Sequence, residues 1–413
     1  MKREGPTLRL AATDVTTFAA CARATTLDLD VANGTRPRPP LYPDPSAQLL
    51  RDRGLAHEAA YLARLRASRS VEEIPDHSPD AADRTLDAMA RGVDIIYQGT
   101  LRAGPWLGRP DFLVRVERPH GAWPWSYEPA DAKLALTAKV HALLQLCFYA
   151  ELLADVQGVR PAHMTLVLGD MHEETFATAR YEAYFRWVRR CLEQAVASPP
   201  PTYPEPVDHC DVCDWFSACD ARRHADDHLS LVAGITTSQR RALDLLAVRT
   251  VRDLAATAPD VRVEGIGDSA LVRIREQARI QVRGRDEGKP VYDLIAGVEP
   301  GHGLMRLPAP SPGDLFIDFE GDPYALGDGI EYLLGIVEPA PDGASEASYT
   351  PLWAFDRAGE RAALRSRCRC ARYVEICIGS SVVPRTRSRP SANASPDHGV
   401  SRAAGGAGEG RLC

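Results

Sequence analysis

Two aspartates and a lysine stand where their side chains could act together on a phosphate ester. Asp111 follows Pro110 at the start of an extended segment, and Asp131-Ala132-Lys133 ends the next extended segment. A hairpin-like pairing of the two segments would bring both carboxylates and the amine to one edge of a sheet. Two carboxylates can hold Mg²⁺ or Mn²⁺, which lowers the pKa of a bound water and offsets charge that builds on a phosphate. Lys133 would then orient or deprotonate that water, or neutralise the phosphate.

Polar residues on two predicted helices would complete such a site. His57 lies on a helix predicted over 46–67 and would add a nitrogen ligand, a mixture that tolerates Mn²⁺ as well as Mg²⁺. Gln145 and Tyr149 are four residues apart on a helix predicted over 137–156, so they project from one face. Taken singly, each of these residues also fits a packing or surface role. His141 and Lys139 are interpreted as structural.

This order of motifs resembles the RecB-type nucleases of the PD-(D/E)xK class. The family pattern is a helical His, then Gly-x-x-Asp, then Asp/Glu-x-Lys, then Gln-x-x-x-Tyr, and the chain carries these motifs at His57, 108–111, 131–133 and 145–149. The resemblance implies a metal-dependent nuclease that hydrolyses DNA, single-stranded by family analogy, in repair or recombination, with a helicase as a candidate partner. It implies catalytic roles for Asp111, Asp131, Lys133, Gln145 and Tyr149. It implies metal ligation by His57, Asp111 and Asp131.

The elements around these motifs predict an α/β core with a mixed sheet flanked by helices, as the PD-(D/E)xK restriction-endonuclease-like fold requires. The predicted order is helix, strands, helix, strands, helix. The predicted strands are 93–98, 108–117, 125–133, 163–168 and 174–180, and the predicted helices are 46–67, 81–91, 137–156 and 181–197.

Three cysteines within ten residues predict a metal or cluster site. Cys210, Cys213 and Cys219 form a Cys-x2-Cys-x5-Cys group, and thiolates so close together need a bound cation. The resemblance extends here, because iron–sulfur RecB-type nucleases, including the AddB type and CRISPR-associated exonucleases, use one Cys before the core and such a group after it. It implies that Cys21 is the fourth ligand of a 4Fe–4S cluster that joins the two ends of the domain.

Other interpretations of the cysteines stay open. A structural Zn²⁺ site of three cysteines with His209 or His224 is one alternative, and simple buried thiols are another. Cys147 and Cys191, each alone on a predicted helix, are interpreted as core residues.

Two later segments resemble other nucleic-acid modules. Gly265-Ile266-Gly267 looks like a helix-hairpin-helix turn, in which backbone amides approach a DNA phosphate, although a plain helical linker fits equally. Asp318-Phe319-Glu320, at the end of a strand predicted to be buried, is similar to the first motif of RNase H-like DEDD exonucleases. Because the further acidic motifs of that family are missing, Asp318 and Glu320 are expected to form at most a vestigial second site.

Composition and length set the remaining expectations. A chain of 413 residues with 45% hydrophobic and 25% charged residues predicts a globular protein of several units. The predicted units are a RecB-like domain (1–225), a helical helix-hairpin-helix-like region (226–290), a linker (291–312), a partial RNase H-like α/β domain (313–360) and a disordered or aberrant tail (361–413). Without a signal-like N-terminus or a long apolar run, we expect a cytoplasmic protein and no membrane partner.

Two other function classes fit the same sequence. In one, the chain is a non-catalytic nucleic-acid-binding or scaffold protein with vestigial acids. In the other, the activity belongs to the RNase H-like segment. The net charge of −7 does not decide among them, because a local cationic groove can exist in an acidic chain.

Overall fold

The computed structural model describes residues 1–40, 45–75, 78–119, 123–294, 301–309, 311, 314–323, 325–326, 329–340 and 347–368. The chain divides into two compact units, Met1–Asp293 and Leu294–Cys413. Residues 369–413 of the predicted tail, and residues 295–300, 310 and 312 of the predicted linker, lie outside the described residues. Among the described residues, no helix is both long enough and apolar enough to cross a bilayer.

The first unit combines helices with short strands, as the hydrophobic pattern predicts. Its strands are β1 (Lys2–Glu4), β2 (Thr7–Arg9), β3 (Val71–Glu73), β4 (Ile95–Tyr97), β5 (Leu101–Ala103), β6 (Trp106–Gly108), β7 (Phe112–Val116), β8 (Ser126–Ala132), β9 (His163–Val167) and β10 (Glu173–Ala177). Its helices are α1 (Ala12–Ala20), α2 (Ala22–Ala32), α3 (Pro45–Arg66), α4 (Ala81–Arg91), α5 (Val140–Gln157), α6 (Glu182–Ala197), α7 (Phe216–Ala225), α8 (Thr237–Asp244), α9 (Val251–Ala256) and α10 (Asp268–Glu287).

A mixed sheet of six strands organises this unit. Its strand order is β10-β9-β8-β7-β4-β3. The β3–β4 and β8–β9 pairs are parallel, whereas the other pairs are antiparallel. The predicted mixed sheet flanked by helices is therefore confirmed.

Side chains that alternate along the strands pack against a layer of helices on each face of the sheet. On one face, Leu113, Tyr127 and Leu166 pack in a core that includes much of α5. On the other face, Phe112 and Ala130 pack against the inner stripe of α3. Successive strand residues point to opposite faces, so the two cores follow directly from the strand sequence.

A buried glutamine joins the end of α5 to β8. The side-chain amide of Gln157 accepts from the backbone N–H of Tyr127 (2.8 Å) and donates to the carbonyls of Tyr127 (3.0 Å) and Val159 (2.9 Å). Gly158, with φ +72°, ends the helix immediately afterwards. The left-handed conformation at this position suits glycine, which has no Cβ.

The helical region after the cysteines has a core of its own. Leu243, Leu254, Leu271 and Ile274 belong to a hydrophobic cluster formed by α8, α9, α10 and the segments between them. Threonines cap α8 and α9, each accepting the N–H three residues ahead. Gly265 has φ +81° in the turn that leads into α10.

The second unit contains an antiparallel sheet and one helix. Its elements are β11 (Phe316–Asp322), β12 (Ile330–Glu338), β13 (Ser348–Trp353) and α11 (Arg357–Cys368), with the strand order β11-β12-β13. Residues 361–368 are helical, which corrects the predicted start of a disordered tail at 361. Their amphipathic run of alanine, leucine and arginine continues α11 past residue 360, where the domain was predicted to end.

The prediction that the strand around Asp318 is buried is wrong. Phe316, Ile317 and Phe319 are 63%, 40% and 49% exposed. In the part of the chain that the structure describes, β11 is an edge strand that pairs only with β12. An apolar run indicates a strand, but only the packing of a second layer buries it, which the local sequence does not specify.

Candidate active site

Adjacent strands bring the two predicted aspartates opposite each other. Phe112 on β7 pairs with Ala130 on β8, and continuing this antiparallel register by one residue places Asp111 across from Asp131. Both odd-numbered positions lie on the α5 side of the sheet, where Leu113 and Tyr127 also lie. Lys133 follows β8, and its Nζ is 2.5 Å from Oδ2 of Asp131. The two carboxylates and the amine therefore meet on one face.

Asp131 carries an incompletely satisfied buried oxygen. Its side chain is fully buried, and its Oδ2 has no hydrogen-bond partner among the described residues. The Nζ of Lys133 pairs with this oxygen at 2.5 Å. Buried carboxylate oxygens are costly unless a donor or a cation satisfies them. The ammonium of Lys133 meets part of this need, and a divalent cation next to Oδ2 would meet the rest.

The pKa values of the site reflect crowding of like charges. Burial, followed by the charge of Asp131, raises the pKa of Asp111 well above its usual range. Burial opposes the charged form of Lys133, but Asp131 and Asp111 outweigh it and raise the pKa of Lys133. Asp111 also accepts the backbone N–H of Ala132 at 2.9 Å, which holds the two strand ends together.

A third carboxylate, Glu58, belongs to this cluster and was not predicted. The Nε2 of Gln98 donates to Oε1 of Glu58 at 2.5 Å and lies 3.4 Å from Oδ1 of Asp111. Burial, followed by a hydrogen bond to Glu58, raises the pKa of Tyr97. The sequence does hold a signal, because Glu58 stands on the apolar stripe of α3 formed by Tyr61, Leu62 and Leu65.

Gln98 adopts a backbone conformation that is unusual for its residue type. Its φ is +56°, and its backbone N–H donates to the carbonyl of Asp111 at 2.8 Å. Left-handed residues other than glycine cost free energy and are found at functional sites. This conformation lets one side chain bridge Glu58 and Asp111.

His57 lies beside the site on α3 but points its Nε2 at the backbone. The side chain is buried, and Nε2 is 3.4 Å from the carbonyl of Val167, which also accepts the backbone N–H of Lys133. Only Nδ1 remains for a ligand in this orientation. The metal-ligand role of His57 stays a prediction.

Gln145 and Tyr149 contact each other on α5, as their spacing predicts. The Nε2 of Gln145 donates to the hydroxyl of Tyr149 at 2.9 Å. Burial, followed by the charge of Asp131, raises the pKa of the buried Tyr149, so the hydroxyl lies within electrostatic range of that carboxylate. The pair therefore lines the α5 side of the acidic cluster.

The four predicted cluster cysteines line one small cavity. Cys21 precedes α2, Cys210 and Cys213 lie in and after the 3-10 turn Asp208–Val212, and Cys219 lies on α7. Burial raises the pKa of the Cys213 and Cys219 thiols, and the neighbouring thiols add to the effect. The structure thus brings residue 21 to the distant triplet.

Other groups surround this cavity. Arg23 and Arg223 oppose the effect of burial at Cys219, and Trp215 packs against the thiols while donating to Asp28 at 2.9 Å. His209 lines the cavity, whereas Nδ1 of His224 lies 3.0 Å from the carbonyl of Asp220. Of the two histidines weighed for a zinc site, His209 is the better placed.

The two cysteines predicted to be core residues lie on α5 and α6 and differ in burial. Cys147 is buried in the core of α5 with its sulfur 3.9 Å from that of Met164. Cys191 on α6 is half-buried.

Within the described residues, no group of three or more histidine, cysteine or acidic side chains is arranged so that it could hold a metal ion. The donor types nevertheless fit the predicted groups. The carboxylates at Asp131 and Asp111 are hard oxygen donors suited to Mg²⁺ or Mn²⁺. Four thiols around one cavity suit a 4Fe–4S cluster or Zn²⁺.

The second acidic pair, Asp318 and Glu320, lies on the exposed strand β11. Asp318 accepts the backbone N–H of Phe319 at 3.0 Å. In the register of the sheet, Asp318 and Glu320 lie opposite Gly335 and Leu333 of β12, so β12 contributes no acid directly across from them. Their vestigial role stays a prediction.

A scan against protein-family models found no match for this chain, and a search of curated proteins found none either. The established class is accordingly a mixed α/β protein whose six-stranded sheet carries a buried acidic cluster.

Proposed function

We propose that residues 1–225 form a RecB-like nuclease of the PD-(D/E)xK type that hydrolyses DNA with Mg²⁺ or Mn²⁺. One observation carries the proposal: Asp111, Asp131 and Lys133 meet on one face of adjacent strands around a buried carboxylate oxygen of Asp131. Two acids and one amine at a common point are the minimum set for cation-assisted hydrolysis of a phosphodiester.

Each side chain has a defined task in this mechanism. Asp111 and Asp131 would hold the divalent cation, with His57 and Glu58 as candidates for further ligands. When bound, such a cation would activate a water and offset the charge of the scissile phosphate. The ammonium of Lys133, paired with Asp131 at 2.5 Å, is in position to neutralise charge that builds on the phosphate in the transition state. Gln145 and Tyr149 would contact the substrate or order the metal site from α5.

The cysteine cavity has a structural task in the proposal. Cys21, Cys210, Cys213 and Cys219 would hold a 4Fe–4S cluster, and Zn²⁺ is the alternative occupant. Joining residue 21 to the segment after α6 removes freedom from the unfolded chain and keeps the flanks of the nuclease together. The proposed setting is cytoplasmic repair or recombination on single-stranded DNA, with a helicase as a candidate partner.

Cleavage of labelled single-stranded DNA in Mn²⁺ tests the proposal. Lys133→Ala is expected to reduce the rate about 100-fold or more, the scale of one positioned catalytic group. Lys289→Ala is the matched control, because Lys289 is 68% exposed and pairs only with nearby Glu287 among the described residues. Equal rates for both variants would refute the proposal.

Two further outcomes would favour the other function classes. Cleavage lost in Asp318→Ala but kept in Asp111→Ala would assign the activity to the RNase H-like segment. DNA binding without cleavage by the wild-type protein, with Mn²⁺ present, would indicate a non-catalytic binding protein.

A further inference from the structure

The outer face of α6 exposes two aromatic rings that stack on each other. Phe185, Val188 and Leu192 form the buried side of the helix. Beside this buried stripe, Tyr184 and Trp187 are 52% and 53% exposed. They are three residues apart, so they lie on one face, and their ring centroids are 5.7 Å apart at an interplanar angle of 30°. Large exposed aromatics of this kind mark interaction surfaces.

Arginines without acidic partners stand on both sides of the ring pair. Arg180 lies just before α6, four residues ahead of Tyr184. Arg190 lies on α6, three residues after Trp187, and both arginine side chains are exposed. Among the described residues, neither guanidinium has an ion pair. The neighbouring arginines differ, because Arg186 pairs with Glu182 and Arg189 with Glu193. The arginines without ion pairs therefore lie four residues before Tyr184 and three residues after Trp187.

This combination fits a polymer that offers flat bases and regularly spaced negative charges. Bases of any sequence stack on aromatic rings, and unpaired arginines attract phosphates. A protein partner would bury an apolar centre and gain little from two unpaired cations beside it. Double-stranded DNA hides its base faces within the duplex, so a single strand is the better match for exposed rings.

The inner side of α6 connects this surface to the helix that carries Gln145 and Tyr149. The guanidinium of Arg189 lies over the ring of Trp106 at 5.0 Å, and Trp106 packs edge-on against Phe148 of α5 at 5.6 Å. The surface therefore lies on a helix packed into the same core as the candidate active site.

We infer that the Tyr184–Trp187 face of α6 binds single-stranded nucleic acid, with bases stacked on the two rings and phosphates paired with Arg180 and Arg190. The inference rests on the proposed function, because that function identifies the polymer as a single-stranded nucleic acid. It adds a second contact region, outside the acidic cluster.

Fluorescence anisotropy with a dye-labelled 20-nucleotide oligo-dT tests the inference, using the full chain with Lys133→Ala so that the strand stays intact. Tyr184→Ala with Trp187→Ala is expected to weaken binding about 5- to 100-fold, the scale of one or two lost stacking contacts. Arg180→Ala with Arg190→Ala is expected to lower the slope of log Kd against log salt by about 1.4, since each phosphate contact on a single strand contributes about 0.7.

Matched variants separate binding from folding. Tyr292→Ala removes a ring that is 81% exposed, and Arg186→Ala removes a paired arginine of the same helix; both are expected to bind like the parent protein. Tyr184→Phe with Trp187→Phe keeps two stacking rings and is expected to restore most of the affinity. Melting curves of all variants verify that the fold is intact.

Each result bears on one claim. The inference is overturned if the parent protein does not bind the oligonucleotide, if the double alanine variant binds as tightly as Tyr292→Ala, or if the phenylalanine variant is as weak as the alanine one. If Lys133→Ala still cuts the strand, the proposed active site fails, while the anisotropy comparison still decides the α6 surface on an uncleavable strand with phosphorothioate linkages.

Discussion

Substitution of Gly169 would displace the candidate catalytic lysine without touching it. An added Cβ at Gly169 would lie 2.2 Å from the carbonyl oxygen of Leu134, the residue after Lys133. Because Cβ atoms essentially never approach within 3.0 Å, the Leu134 backbone must move by about 0.8 Å. The backbone N–H of Gly169 also donates to the carbonyl of Ala135 at 3.1 Å, so the two segments are already in contact.

We expect two measurable effects of Gly169→Ala. Overpacking of this kind costs about 1 to 3 kcal/mol, which corresponds to a fall in Tm of roughly 2 to 5 °C for a unit of this size. A displacement near 1 Å can lower a catalytic rate about 100-fold, so cleavage in Mn²⁺ should fall on that scale. Differential scanning calorimetry and a cleavage assay on labelled single-stranded DNA measure the two effects.

Gly54→Ala provides the matched control. Gly54 lies within α3, and an added Cβ there meets no atom within 4 Å. Because alanine favours a helix over glycine by up to about 1 kcal/mol, this variant should melt at the same temperature or higher and cleave normally. If Gly169→Ala behaves like Gly54→Ala in both assays, the contact with Leu134 does not position Lys133.

Two further predictions concern the segment after α6. Hydrogen bonds from His228 and Arg240 lower the pKa of Glu205 to about 2. Glu205→Gln should therefore destabilise the protein by about 1 kcal/mol at pH 7. This value is reduced for solvent screening, because the side chain of Glu205 is half-exposed. Because the folded pKa of Glu205 lies below the unfolded one, this difference is full above about pH 4.5 and should disappear towards pH 2 in denaturant unfolding. As a control, Glu264→Gln changes an exposed side chain and should leave the stability at pH 7 unchanged. A difference for Glu205→Gln that persists at pH 2 would contradict the assignment. Cys213→Ser should abolish bound metal, measured as iron and zinc together with the visible absorption spectrum, whereas Cys191→Ser on α6 should retain it; unchanged metal in Cys213→Ser would show that the cavity is not the ligand site.

Much of the first unit follows from local sequence patterns. The predicted helices at 46–67, 81–91 and 181–197 match α3, α4 and α6 within one residue at each end. The strands β4, β7 and β8 lie side by side as expected, although the separate β5–β6 hairpin intervenes between β4 and β7 in the chain. Their pairing is enough to bring Asp111 and Asp131 together, since one register fixes which residues face each other.

Other features depend on contacts that local patterns do not contain. Gln98 reaches Glu58 only through a left-handed backbone, and no turn signal precedes it in the sequence. The short strands β3, β5 and β6 are three residues long, too short for a period of two to be recognised. The exposure of Phe319 depends on what covers β11, which is a property of the whole unit.

Gln157 fixes the position of α5 along its own axis relative to the sheet. Its amide imitates a peptide group at Tyr127, where β9 does not reach, and so clamps one end of the helix to β8. Tyr149 stands eight residues earlier, about 12 Å along the axis at 1.5 Å per residue. A slip of the helix by even a fraction of a turn would break these hydrogen bonds, so Gln157 fixes the position of Tyr149 along the helix axis from about two turns away.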